Sequence, residues 1–94
     1  MLHSPTITSK NGPFIEGYLV YDEGNNITSE IAFYAKLEYT KGSYGSVLEL
    51  QIADESTAGY LYEYKNGPAI SRGDLWTDAA SELVEFLQNK DNEL

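Results

Sequence analysis

Residues 27–39 read ITSEIAFYAKLEY, and this stretch decides the fold of the chain. Apolar side chains occupy most of its odd positions, including Ile31, Phe33 and Leu37, whereas polar side chains such as Glu30 occupy most of the even positions. A period of two is typical of a strand with one face in a hydrophobic core and the other in solvent. We therefore predict a half-buried strand here, and the other elements are placed around it.

Three further strands are predicted from similar patterns. Residues 14–23 are rich in β-branched and aromatic side chains and are followed by a Gly-Asn-Asn turn. Residues 47–52 alternate leucine or isoleucine with valine, glutamate and glutamine. Residues 59–65 place a tyrosine at every second position, which favours a strand, although the Asn-Gly-Pro that follows also suits the end of a helix. We predict a strand in this fourth stretch as well.

The C-terminal part of the chain has the period of a helix. Apolar side chains recur at spacings of three and four between residues 74 and 90. These side chains are Trp76, Ala79, Ala80, Leu83, Phe86 and Leu87. The chain is therefore predicted to be a two-layer α+β fold, a four-stranded antiparallel β-meander with one C-terminal α-helix packed on one face. Residues 1–12 are expected to be a mobile N-terminal segment, residues 13–90 a single domain, and residues 91–94 a frayed tail.

The charge of the chain is strongly unbalanced. Fifteen acidic residues stand against six basic ones, which gives a formal net charge of −9. Affinity for DNA or RNA depends mainly on lysine and arginine contacts to phosphates, so direct nucleic-acid binding is not expected. Anionic lipid headgroups repel an acidic surface, and no apolar run is long enough to span a bilayer. The N-terminus lacks the basic start and apolar run of a secretory signal, so we predict a cytoplasmic protein.

The residue inventory disfavours catalysis. The chain has no cysteine and one histidine, His3, so thiolate chemistry and histidine-based triads or metal sites are not expected. The loop pattern of calcium-binding hands is absent as well. We predict no catalytic residues, no cofactor and no metal. An enzyme that uses paired carboxylates as acid and base remains a minor alternative.

Carboxylates and tyrosines are the candidate partner-binding residues. The acids of the predicted helix recur every three or four residues with no lysine or arginine between them, and the tyrosines of residues 59–65 are predicted to share one face. The candidates are Glu30, Tyr34, Glu38, Glu49, Tyr60, Tyr62, Glu63, Tyr64, Asp74, Asp78, Glu82 and Glu85. A solvated helix face and tyrosines that pack the core or its rim are the ordinary structural alternatives. Residues 14–23 are apolar on both faces, which favours cover of their second face by the N-terminal segment, a second subunit or a partner.

The leading hypothesis is a small, acidic, non-enzymatic binding protein. Its expected partner is a basic protein surface, in particular that of a nucleic-acid-handling protein. It would then act as a nucleic-acid mimic that inhibits a nuclease or host-defence complex, of the anti-CRISPR or anti-restriction type made by phages and other mobile elements. Two alternatives stay open: an immunity protein against a basic toxin, and a structural subunit of a homodimer or larger homo-oligomer.

Overall fold

The computed structural model describes residues 5–24 and 26–88, which form one antiparallel sheet followed by one helix. The elements are β1 (Thr6–Asn11), β2 (Phe14–Gly24), β3 (Ile27–Thr40), β4 (Ser43–Asp54), β5 (Gly59–Lys65), β6 (Ile70–Ser71) and α1 (Asp74–Gln88). The strands lie in chain order, each antiparallel to the next. An α+β chain with an antiparallel sheet and a C-terminal helix is thus confirmed, as is the strand over residues 59–65. The predicted number of four strands was wrong, because the described part of the chain contains six.

The first added strand, β1, lies within the predicted N-terminal segment, residues 1–12. It pairs with β2 across a turn at Gly12, whose φ of 61° suits glycine, and Pro13. Five of its six side chains are exposed and only Ile7 is half-buried. A polar strand at the edge of a sheet is held by backbone hydrogen bonds to its neighbour, so it has no apolar period of two to reveal it. The N-terminal segment thus extends the sheet at its edge.

The second added strand, β6, has two residues and pairs with Tyr62 and Glu63 of β5. A strand this short carries no periodic signal. The helix begins at residue 74, as predicted, and is described as far as residue 88. Residues 89–90 of the predicted helix, the predicted tail at 91–94 and residues 1–4 lie outside the described residues.

The core draws its residues from the strands and from the helix. Cross-strand pairing places Ile15, Ala35 and Leu50 side by side, and Phe33 beside Ile52 in the next row. The buried core residues are Ile15, Leu19, Ile31, Phe33, Ala35, Leu37, Leu50, Ile52, Ala79, Ala80, Leu83 and Leu87. The four helix members and the strand members form a single cluster. Burial of these apolar side chains stabilises the domain. The chain has no cysteine, so no disulfide adds to this stabilisation.

A β-bulge divides the tyrosines of β5 between the two faces of the sheet. Tyr62 pairs with Ile52, but the register shifts there, and Tyr60 pairs with Ala53. Adjacent residues of a strand point to opposite faces, so Tyr60 lies on the face away from the core, while Tyr62 and Tyr64 lie on the core side. The prediction that these three tyrosines share one face was wrong, because one extra residue in a strand reverses every side chain beyond it.

The turn between β4 and β5 is organised by Asp54. Its Oδ1 accepts hydrogen bonds from Ser56 N at 3.0 Å and Ser56 Oγ at 2.7 Å, and its Oδ2 accepts one from Thr57 Oγ1 at 3.0 Å. Arg72 Nη1 lies 3.3 Å from the same Oδ2. The hydrogen bonds from Ser56 and Thr57, assisted by the charge of Arg72, lower the pKa of Asp54 below its ordinary value of 3.8.

Asp54→Asn is expected to destabilise the domain in a pH-dependent way. A carboxylate with a lowered pKa in the folded state stabilises the fold fully above pH 3.8, and this contribution is lost as the pH falls through the folded-state pKa. Urea unfolding should therefore separate the variant from the wild type at pH 6, and the difference should shrink as the pH falls below 3.8. Glu55→Gln, which removes the same charge one residue later, is the control and should show a smaller difference at pH 6. Equal effects of the two substitutions would contradict the role given to Asp54.

No helix among residues 5–24 and 26–88 has the length and apolar character needed to cross a bilayer.

Candidate protein-binding surface

The sheet face opposite the core carries a continuous row of polar and aromatic side chains. Ser9 pairs with Glu16, Glu16 with Tyr34, Tyr34 with Gln51, and Gln51 with Glu63. Residues that pair directly across an antiparallel sheet have Cβ atoms about 5 Å apart and point to the same face. This surface, called the outer face below, includes Ser9, Phe14, Glu16, Tyr18, Val20, Glu30, Ala32, Tyr34, Lys36, Glu38, Glu49, Gln51, Ala53, Tyr60, Glu63 and Lys65.

Lys36 is held within the outer face by its neighbours. Its Nζ lies 4.0 Å from Glu49 Oε2 and 5.8 Å from the centre of the Phe14 ring. The Phe14 ring in turn stacks on Tyr34, with ring centres 6.1 Å apart and planes inclined by 25°. Ion pairs and cation–π contacts at this degree of exposure each contribute about 0.2–1 kcal/mol. Lys36 therefore offsets the charge of Glu49. The remaining negative charge of the outer face comes from its other carboxylates.

Glu16 and Glu63, two carboxylates of the row, differ in how they are held. Gln51 Nε2 donates a hydrogen bond to Glu63 Oε2 at 2.9 Å. Among the described residues, the Glu16 carboxylate has neither a hydrogen bond nor an ion pair. Glu16 is thus a negative charge on the outer face that forms no ion pair with any described residue.

The carboxylates of the outer face influence the pKa of the Tyr34 hydroxyl. Partial burial, followed by the negative charges of Glu49 and Glu16, raises the pKa of Tyr34 above 10.0. The hydroxyl therefore keeps its proton at neutral pH and remains a hydrogen-bond donor. A tyrosine that offers a ring face and a donor beside carboxylates suits contact with a polar partner.

Two shallow depressions lie on the outer face. The larger, of about 400 Å³, is lined by Glu16, Ala32, Tyr34, Gln51, Ala53 and Tyr60 together with Thr8, Gly17 and Phe33. The second, of about 340 Å³, adjoins it through Glu16 and Tyr34 and is lined by Ser9, Asn11 and Phe14 as well. Phe14 is 40 % exposed and Tyr60 is 43 % exposed, so aromatic rings border both depressions and reach the solvent.

The predicted site residues do not form one surface. Those on the outer face are Glu30, Tyr34, Glu38, Glu49, Tyr60 and Glu63. Those on the exposed side of the helix are Asp74, Asp78, Glu82 and Glu85. Tyr62 and Tyr64 lie on the core side of β5, where Tyr62 packs against the hydrophobic core.

Sequence reasoning missed Phe14, Glu16 and Gln51 as members of the outer face. Apolar residues on both sides of β2 hid the alternation that would have marked Phe14 and Glu16 as outward-facing. The register that brings Glu16 and Gln51 beside Tyr34 involves residues 17 or more positions away along the chain, and no local pattern encodes it. For Gln51, the alternation in residues 47–52 did indicate a side chain that points away from Leu50 and Ile52.

The helix acids form a separate charged stripe. All four are exposed, and no lysine or arginine stands between Asp74 and Gln88. The opposite side of the helix holds Ala79 and Leu83 in the core. The stripe therefore faces away from the sheet that the helix contacts.

No group of three or more histidine, cysteine, aspartate or glutamate side chains within the described ranges is arranged to hold a metal ion. Compared with protein-family models, with curated proteins and with solved structures, the chain gives no match.

Proposed function

We propose that this chain is a non-enzymatic binding protein that docks its outer face on the basic, nucleic-acid-binding surface of another protein and so inhibits it. The observation that carries the proposal is the outer face itself, where exposed aromatic rings stand among carboxylates on a chain of net charge −9. The partner class is a nuclease or host-defence complex whose phosphate-binding path the domain occupies. An immunity protein acting on a basic toxin would use the same surface chemistry.

The proposal includes a two-layer arrangement in which the helix covers one face of the sheet. Support comes from the single core cluster that joins Ala79, Ala80, Leu83 and Leu87 to the inward residues of the strands. A helix in that position leaves the outer face available to a partner. The N-terminal β1 widens this face, because it adds a strand at the edge of β2.

The aromatic residues support a protein partner. Phe14, Tyr34 and Tyr60 present rigid rings with few rotatable bonds, and such side chains dominate the binding energy of protein interfaces. Tyrosine also has a hydroxyl that can hydrogen-bond to a polar partner. Such a group suits contact with a protein surface that normally binds phosphates. We expect these rings to determine how long the complex lasts.

The charge supports a basic partner. Among the described residues, two ion pairs are formed, Lys36 with Glu49 and Arg72 with Asp54. The helix stripe contributes four further carboxylates with no basic residue among them. Charges outside a contact surface raise the rate of encounter with an oppositely charged protein more than they slow its dissociation. We therefore assign docking to the outer face and electrostatic steering to the stripe.

Tyr60→Ser is expected to weaken capture of the partner from a lysate of the native host by about 30-fold, the effect of a hot-spot residue. Tyr64→Ser is the matched control, because it removes the same ring from the same strand at a similar exposure, 39 % against 43 %, but on the core side. Duplex DNA should release the captured partner, since DNA and this chain are proposed to bind the same basic surface of that partner. A captured protein that DNA does not displace, or equal losses in the two variants, would contradict the proposal.

If light scattering instead shows a homo-oligomer that Tyr60→Ser dissociates, the structural-subunit alternative is correct.

Neutralising the stripe is expected to slow association with that partner. A variant with Asp74→Asn, Asp78→Asn, Glu82→Gln and Glu85→Gln should lower the association rate by roughly tenfold at 50 mM salt. At 500 mM salt the Debye length falls from roughly 14 Å to about 4 Å, and the difference from the wild type should disappear. Stopped-flow or surface-based kinetics measures both rates. An effect confined to the dissociation rate would contradict the steering role.

A further inference from the structure

The larger depression on the outer face has small residues at its floor and large ones around it. Ala32 and Ala53 stand at outward positions of the two central strands, where strands usually carry larger side chains. Tyr34 lies two residues from Ala32 along β3, and Tyr60 pairs directly with Ala53. The missing side-chain volume between these rings leaves a space of about 400 Å³. It has room for one extended side chain from a partner.

The rim of this depression offers negative charge and acceptors. Glu16 lines it, and among the described residues its carboxylate is unoccupied by any donor. Gln51 uses its amide nitrogen to bond Glu63, which leaves its amide oxygen as a further acceptor. The lining therefore combines carboxylate and amide oxygens with the rings of Tyr34 and Tyr60, a composition that attracts a cationic group.

We propose that this depression binds an arginine side chain of the partner, with the guanidinium against the rings of Tyr34 and Tyr60 and two of its N–H groups donating to Glu16. The proposal rests on the proposed function and names the anchor of that interface. A guanidinium is planar, stacks on aromatic rings and is weakly hydrated, and its paired N–H groups match a carboxylate. A lysine ammonium is strongly hydrated and cannot stack, so it makes poorer use of the rings. Arginine is also frequent on surfaces that bind phosphates.

Titration of the ¹⁵N-labelled protein with N-acetyl-arginine amide tests this site. The amide signals of residues 16, 32–34, 51–53 and 60 should move, while those of the helix stripe stay close to their free positions. N-acetyl-citrulline amide, the neutral isostere, should move none of them, and N-acetyl-lysine amide should bind several-fold more weakly. Shifts that centre on the stripe, equal responses to arginine and lysine, or no shift with arginine up to tens of millimolar would each overturn the proposal.

Two substitutions locate the site on named side chains. Glu16→Gln is expected to weaken arginine amide binding roughly two- to fivefold, as for an exposed ion pair. Tyr60→Leu should have a similar effect through loss of the cation–π contact, whereas Tyr64→Leu should have none. Unchanged signals elsewhere in the spectrum will show that each variant is folded.

The failures of the two proposals are distinguishable. If arginine amide does not bind but Tyr60→Ser still weakens partner capture, the arginine anchor is wrong and the docking function stands. If arginine amide binds at the depression but Tyr60→Ser leaves capture unchanged, the pocket exists and the outer face is not the docking surface.

Discussion

Gly17→Ala is expected to lower the free energy of unfolding by about 3 kcal/mol or more, the upper range for overpacking a filled site. Gly17 pairs with Phe33 in the middle of the sheet. An added Cβ would collide with the carbonyl oxygen of Thr6 in β1 and lie 2.8 Å from the Phe33 ring. A backbone oxygen cannot turn aside as a flexible side chain does, so β1 would have to separate from β2.

Gly67→Ala is the matched control for Gly17→Ala. An added Cβ there meets no atom within 4 Å, and neither glycine has the positive φ that would strain alanine. Both substitutions reduce the entropy of the unfolded chain, so their difference reports mainly the steric effect. Urea unfolding followed by the fluorescence of the single tryptophan, Trp76, measures both. Equal midpoints would show that β1 does not approach β2 as described.

Leu83→Ala is expected to lower the free energy of unfolding by about 2–5 kcal/mol. Leu83 is 1 % exposed and lies where the helix meets the core cluster. Its removal loses the transfer free energy of the buried carbons and leaves a cavity between helix and sheet. The effect is a large fraction of the total stability of a small domain, which is about 5–15 kcal/mol.

Leu75→Ala controls for the change of residue type. Leu75 stands in the same helix but is 41 % exposed, so the same carbons are removed from a site that is open to water and outside the core. Its loss should be under about 1 kcal/mol. Similar losses at the two positions would show that the helix is not anchored through Leu83, and would remove the support for a two-layer arrangement.

Elements with a strong local period were predictable. Residues 27–39 were predicted as a strand and form β3 (Ile27–Thr40), and the apolar spacing after residue 74 predicted the helix. In both cases one side of the element is buried, so the buried positions repeat at the period of the element. The strand over residues 59–65 was predicted from its tyrosines and from Gly59, since aromatic residues suit a pleated surface and glycine disfavours a helix.

Features that depend on pairing were not predictable. β1 is polar and is held by its backbone bonds to β2, and β6 is two residues long. The bulge opposite Ala53 sends Tyr60 to the outer face and leaves Tyr62 with the core. Because the register decides which residues become neighbours, the row from Ser9 to Glu63 could not be assembled from any single stretch of sequence.

The amino-acid sequence by itself determined the sheet-and-helix composition of the chain, its surplus of nine negative charges and the inward residues of its longest strand. These properties follow from composition and from periods that a few neighbouring residues display. Only the tertiary structure decided that Glu16, Tyr34 and Tyr60 border one depression while the helix acids lie on a separate surface. That decision depends on strand register and on a one-residue bulge, which arise from contacts between residues far apart in the chain.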